Sequence, residues 1–152
     1  MRHEIRMRIG YGLVAGLAAG IGMGYLLKGI ENGTGSKVYT LLLSVDYVPG
    51  LRDIITTEFA QFGIHLVLSV AVAALFSLGY RTNSARGKRL AVIAGASVLL
   101  GVVLFPTTAL SSRTPELSDA AAFGWWLLGH LMYGLIVGAV LQLLFERNPG
   151  RP

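Results

Sequence analysis

The stretch from Phe59 to Tyr80, FAQFGIHLVLSVAVAALFSLGY, decides the fold. Its interior holds no Lys, Arg, Asp or Glu, and its length matches the roughly 20 residues a helix needs to cross a hydrocarbon core about 30 Å thick. Three further stretches have the same character: Ile9 to Leu27, Leu90 to Leu110, and Ala120 to Phe145. Unbroken apolar runs, as opposed to alternating segments of about ten residues, select helices over a transmembrane β-barrel. The expected fold is all-α: one domain over residues 1–152, an integral membrane bundle of four transmembrane helices. Pro106 lies near the end of the third run, where its missing N–H and its ring would kink or stop a helix.

Composition points to the same solvent. Of the 152 residues, 53% are hydrophobic and only 14% charged, which is outside the usual soluble balance. The net charge of +5 does not indicate a nucleic-acid partner, because the basic residues flank apolar runs instead of gathering on a polar surface. There is no cysteine, so disulfides, thiol chemistry and thiolate metal sites are excluded. Arg2, Arg6 and Arg8 ahead of an apolar stretch imitate a secretory signal, but the chain returns to the membrane three more times, so the first run is read as a retained span.

Lys and Arg set the expected orientation. Nine fall on one side: Arg2, Arg6 and Arg8, then Arg81, Arg86, Lys88 and Arg89, and finally Arg147 and Arg151. Four fall on the other, namely Lys28, Lys37, Arg52 and Arg113. Both termini are therefore expected in the cytoplasm, and Glu31, Asp46, Asp53, Glu58, Glu116 and Asp119 all fall on the outer side. The outer loop, 29–58, carries turn signals at Asn32-Gly33 and Pro49-Gly50 around the apolar stretch Val38–Val48. Eleven residues cannot span, so this stretch is expected to form a short interfacial helix or a lid over the outer ends of the bundle. The run Gly29 to Lys37 lacks the adjacent Gly-Lys-Ser/Thr of a phosphate loop, and Asn32-Gly33-Thr34 is only a short match to a glycosylation sequon. No internal repeat is visible, which removes support for an inverted-repeat transporter in one chain.

Two constellations lie inside the spans. Gly12, Gly16, Gly20 and Gly24 recur every four residues and form a ridge without side chains, which lets another backbone approach closely. The ridge serves packing within the chain or a homo-oligomer face, while Gly10 and Gly22 lie off it and add flexibility. The second is polar. Glu58, Gln61, His65 and Ser69 share a face of the second span, and the fourth span carries Trp126, His130, Gly134, Gly138 and Gln142 at intervals of four, with Tyr133 beside His130. Trp125 and Trp126 suit interfacial anchoring. At 1.5 Å per residue both histidines sit roughly 9–15 Å below the outer surface, where ionisable groups are functional candidates. Lys28, Glu31 and Glu58 from the helix ends above complete the expected polar site. Each imidazole acts as a hydrogen-bonding strut, as half of a proton-responsive pair, or as a ligand. No resident cofactor is predicted. His65, His130 and Gln61 would be the donors for a metal, although an amide is a poor third ligand, and bis-histidine ligation leaves haem open. No Ser-His-Asp or Cys-His order suggests hydrolysis, so the reading leans away from an enzyme.

With these motifs in order, the chain resembles the YagU-like family of small bacterial inner-membrane proteins. A Gly-rich first helix ends in Lys28 followed closely by Glu31, and the second span opens on His65-Leu-Val-Leu-Ser69 and runs to Gly79-Tyr80. Phe105-Pro106 ends the third span, and Gly129-His130-Leu131 lies in the fourth. The resemblance implies a multi-pass protein of the bacterial inner membrane with a theme of acid stress. A small oligomeric transporter or channel subunit, and a haem- or metal-binding module, are the alternatives from other classes. The lipid bilayer is the expected partner.

Overall fold

The computed structural model describes residues 2–44, 50, 57–80 and 84–147. The described residues form five α-helices and one 3-10 helix, with no strand: α1 (Arg2–Thr34), α2 (Val38–Leu43), α3 (Glu58–Leu78), α4 (Arg86–Leu104), a 3-10 segment (Phe105–Leu110) and α5 (Ala120–Arg147). Among the described residues, four helical segments are long and apolar enough to cross a membrane: α1, α3, α4 with its 3-10 extension, and α5. The 21 residues of α3 correspond to about 31 Å of helix, close to the roughly 30 Å of a hydrocarbon core. The residues Asp46, Pro49, Arg52, Asp53, Arg81 and Arg151, which enter the charge and turn arguments above, lie outside the described residues.

Local chemistry explains most helix ends. The Thr57 hydroxyl accepts from the Ala60 N–H at 3.2 Å and starts α3, and the Asp119 carboxylate accepts from the Ala122 N–H at 2.9 Å and starts α5. Pro106 does not kink the third span within an α-helix. The α-helix stops at Leu104 and the chain tightens into a 3-10 turn with Pro106 in its first two positions, where a missing N–H is not needed. The sequence expectation fails at Asn32-Gly33, which is not a turn: α1 continues through both residues to Thr34. Its stop is Gly35, at φ +76°, whose N–H donates to the Glu31 carbonyl at 2.8 Å.

The helices are arranged in the order α3, α1, α5, α4 across the bundle. α1 packs on α3 and α5, and α5 packs on α4, while α3 and α4 make no extensive contact among the described residues. The glycine ridge decides the first pairing. A Cβ at Gly16 would lie 2.5 Å from the Val70 Cα, one at Gly20 would lie 2.7 Å from the Ser69 hydroxyl, and Gly12 and Gly24 are closed off by Ala74 and Phe62. Gly134 does the same for α4 and α5, with Ala94 Cα and Ser97 Oγ each 2.7 Å from where its Cβ would be. Gly22, expected only to loosen the helix, faces Ile136 of α5 at 3.0 Å and belongs to a second packed face of α1. The interior between these pairs holds Ala15, Ala19, Met23 and Leu27 of α1 against Trp126, Tyr133, Val137 and Leu141 of α5. Outward, Val67 and Leu75 of α3 and Leu99 and Val103 of α4 are each 63–69% exposed. So extensive an apolar exterior fits a multi-pass membrane protein.

The start of α1 and the end of α5 meet at the same end of the bundle, where the Tyr11 and Phe145 rings lie 5.0 Å apart edge to face. Arg8 closes this end. Its guanidinium donates to the carbonyls of Ser77 (3.2 Å), Leu78 (3.3 Å) and Tyr80 (3.0 Å), which satisfies the orphan acceptors at the end of α3. The same group pairs with Glu4 and lies over the Phe145 ring, which stacks on Tyr80.

Candidate functional site

At the other end, α2 is held over the bundle by carboxylates. Glu31 accepts from the Thr40 N–H at 2.8 Å and the Thr40 hydroxyl at 2.7 Å, so a side chain from α1 caps the first turn of α2. The Lys28 ammonium donates to Glu58 at 2.6 Å, and the Tyr39 hydroxyl donates to the same carboxylate oxygen at 2.8 Å. Burial of the Tyr39 phenol, then its bond to Glu58, push its pKa up from 10.0 to about 12. Lys28, Glu31 and Glu58 are therefore one cluster, and with Arg113 and Thr40 they line a polar hollow at this end.

Below it, between α3 and α4, lies a cavity of about 170 Å³. α1 and α5 form its floor through Met23, Trp126, His130 and Tyr133, α3 supplies Gln61, His65 and Ser69 along one wall, and α2 covers it with Leu41 and Leu42. Because α3 and α4 do not pack together, Leu68, Val72, Leu100 and Leu104 form an apolar mouth on the side of the bundle. The expected site is thus divided. His65, Ser69, His130 and Tyr133 line the cavity; Lys28, Glu31 and Glu58 belong to the hollow above; Gln61, with Ser44, borders both.

The hydrogen bonds fix the imidazole tautomers. His65 Nε2 lies 3.1 Å from the Gly20 carbonyl and His130 Nδ1 lies 3.0 Å from the Trp126 carbonyl. A carbonyl only accepts, so both of these nitrogens carry the proton, and in the neutral rings His65 Nδ1 and His130 Nε2 hold lone pairs. Neither of those second nitrogens has a protein partner among the described residues, and neither is a sealed, unsatisfied atom. Both rings line the cavity. Four of the surrounding donors are committed to backbone carbonyls: Trp126 Nε1 to Gly101 at 2.9 Å, the Tyr133 hydroxyl to Ser69 at 2.6 Å, the Thr107 hydroxyl to Leu104 at 2.8 Å, and the Ser44 hydroxyl to Thr40 at 2.9 Å. Trp126 is therefore not an interfacial anchor. It is 5% exposed, its indole N–H taken up by a carbonyl that the bare Gly101 leaves accessible.

No family model, curated protein or solved structure matches this chain. Among the described residues, no three of His, Cys, Asp and Glu gather within reach of one metal ion, and beside the two imidazoles the lining carries the Gln61 amide and hydroxyl groups. Glu58, seven residues before His65, is bound to Lys28 and Tyr39 instead of to a histidine. Tyr39, Thr40, Ser44, Arg113 and Trp126 are among the contributors that went unnoticed in the sequence as site residues. Tyr39 and Thr40 sit in a six-residue helix whose polar face is apparent only once α1 is extended to Glu31 and beyond.

Proposed function

We propose that this chain is a YagU-like, non-enzymatic multi-pass protein of the bacterial inner membrane. It acts in acid-stress or envelope homeostasis through the histidine cavity, which lies in the outer half of the bundle. Its termini are cytoplasmic, so the Arg8 end faces the cytoplasm and the Lys28 end faces outward, as the Lys/Arg asymmetry requires. The carrying observation is the paired imidazoles in one cavity, bordered by Gln61 and Ser44, which also border the polar hollow at the Lys28 end. Protons from the outer aqueous phase meet the Lys28, Glu31 and Glu58 cluster first and the imidazoles next. Protonation turns each free lone pair into a second donor, which then needs an acceptor such as the Gln61 amide oxygen or a hydroxyl of the lining, so the hydrogen bonding around both rings changes with their charge. The order of the motifs Lys28 to Glu31, His65 to Ser69, Phe105-Pro106 and Gly129 to Leu131 supports the family assignment.

The glycine ridge packs on α3 within the chain, which favours the packing reading of the ridge over a homo-oligomer face. The test uses Trp126, whose ring centroid is 4.6 Å from that of His130. In a Trp125→Phe background in detergent, Trp126 fluorescence should change reversibly on acidification, and His130→Leu should abolish the change. A flat signal in wild type, or an unchanged transition in the histidine variant, refutes the proton-responsive reading.

A further inference from the structure

The same cavity has a property that proton response does not use, namely its hydrogen-bonding sign. Every ring donor in it is spent on the backbone, whereas two ring acceptors are left: His65 Nδ1 and His130 Nε2. An alkyl chain lying in the cavity would strand both lone pairs, at the usual cost of an unsatisfied buried polar group. A ligand that only accepts, such as a quinone or an ester carbonyl, would face them with a second set of acceptors. What fits is a molecule that brings donors.

Shape and access narrow the class. The side mouth between α3 and α4 is apolar, bounded by Leu68 and Val72 on one wall and Leu100 and Leu104 on the other. A ligand entering there comes from the bilayer, so it is lipid-soluble. The inner end is aromatic, made by Trp126, Tyr133 and the two imidazoles, and suits a flat ring by edge and face contacts. The volume is about 170 Å³, and an apolar cavity of about 150 Å³ is known to take one benzene ring. One substituted ring fills it. Two acceptors at the inner end, one from α3 and one from α5, match a ring carrying two hydroxyls.

We propose that the cavity binds a membrane-soluble hydroquinone, its ring against Trp126 and Tyr133, its hydroxyls donating to the free nitrogens of His65 and His130, and its tail leaving between α3 and α4. No electron transfer is assigned to the site; it holds the reduced ring and discriminates against the oxidised one. This inference rests on the membrane reading and on the cavity described above.

Calorimetry on the purified protein in detergent tests it with three probes: a decyl-substituted para-hydroquinone, its dimethyl ether, and the corresponding benzoquinone. The hydroquinone should bind saturably, and the ether and the quinone should each bind about tenfold more weakly or worse, since a lost hydrogen bond of about 1.4 kcal/mol is a factor of ten. His65→Leu and His130→Leu should each erase that preference. Because His130 is buried and its variant could fail to fold, Leu68→Trp provides a second arm. Leu68 is 61% exposed at the mouth, so a bulky ring there blocks entry without touching the core. Equal binding of all three probes would mean simple partitioning into an apolar groove and overturns the proposal. So does wild-type binding by a folded Leu68→Trp protein, or no binding by folded wild type. If hydroquinone binding fails while the acid-induced Trp126 signal persists, this inference falls alone; if both fail, the proposed function falls with it.

Discussion

At the residue scale, what a position lacks matters as much as what it carries. Gly16 and Gly20 have no Cβ, and the α3 backbone and Ser69 occupy the space one would need. Gly16→Leu should therefore destabilise the bundle by about 1–3 kcal/mol through overpacking, read as a lower melting temperature in detergent. Gly63→Ala is the control, since nothing lies within 4 Å of a Cβ there, and the better helix former should hold or raise stability by up to about 1 kcal/mol. If Gly16→Leu melts like wild type, the close α1–α3 approach is wrong. Tyr39 carries a different prediction. Its phenol pKa is raised in the folded protein from 10.0 to about 12, so the stability it contributes is complete below pH 10 and is lost as pH rises toward 12. Glu58→Gln removes the second-largest cause and should move the phenolate absorbance transition partway back toward 10, while an unchanged transition would rule out Glu58 as a cause. The periodic glycines and the two histidines stand out in the sequence because bare ridges and ionisable groups are exceptions in apolar runs of this length. Their partners do not. Whether His65 meets Gly20 depends on which helix faces which, and no single residue encodes that.

At the element scale, α2 shows how a segment too short to be stable is fixed by its neighbours. Six residues cannot hold a helix in isolation. Glu31 supplies the cap at Thr40, and Tyr39 ties the helix to Glu58 on α3. Losing a cap of this kind costs about 0.5–2 kcal/mol. Glu31→Ala should thus speed amide exchange across Val38–Leu43 without changing protection in the middle of α1, α3 or α5; equal protection of α2 in the variant would show that another contact holds it. A helix or lid in this part of the chain is readable from the apolar run that begins at Val38. Its anchor is not, because Asn32-Gly33 reads as a turn. A strong turn dipeptide is overridden here because α1 extends to Thr34, where the Glu31 carboxylate can reach Thr40, and Gly35 provides the left-handed exit. Pro106 is the opposite case. Its helix-breaking chemistry is local, so the change from α-helix to 3-10 turn falls where the sequence places it.

At the scale of the whole molecule, the cavity exists because two helices adjacent in sequence are not adjacent in space. The connection between α3 and α4 is short, which ordinarily implies antiparallel neighbours. The glycine faces outweigh it: α1 draws α3 to one flank and α5 draws α4 to the other, leaving the gap that the histidines line. Four spans are legible as apolar runs, but this order is not, since hydropathy says how often a chain crosses and nothing about which crossings touch. Orientation is a separate matter, carried by charge. The Arg8 end gathers Arg8, Arg86 and Arg89, held by Glu4 and Glu146, whereas the Lys28 end offers Lys28 and Arg113. The chain has no cysteine, so a single one introduced at either end reports without background. Ser84 lies beside α4 at the Arg8 end, and Ser112 is exposed in the connection between the 3-10 segment and α5 at the Lys28 end. In intact cells a membrane-impermeant thiol reagent should label Ser112→Cys and leave Ser84→Cys unlabelled until the membrane is permeabilised. The reverse pattern would invert the bundle, put the polar hollow in the cytoplasm, and cut the imidazoles off from external protons. Labelling at both positions in intact cells would break the four-span topology, because Ser84 and Ser112 are separated by a single crossing.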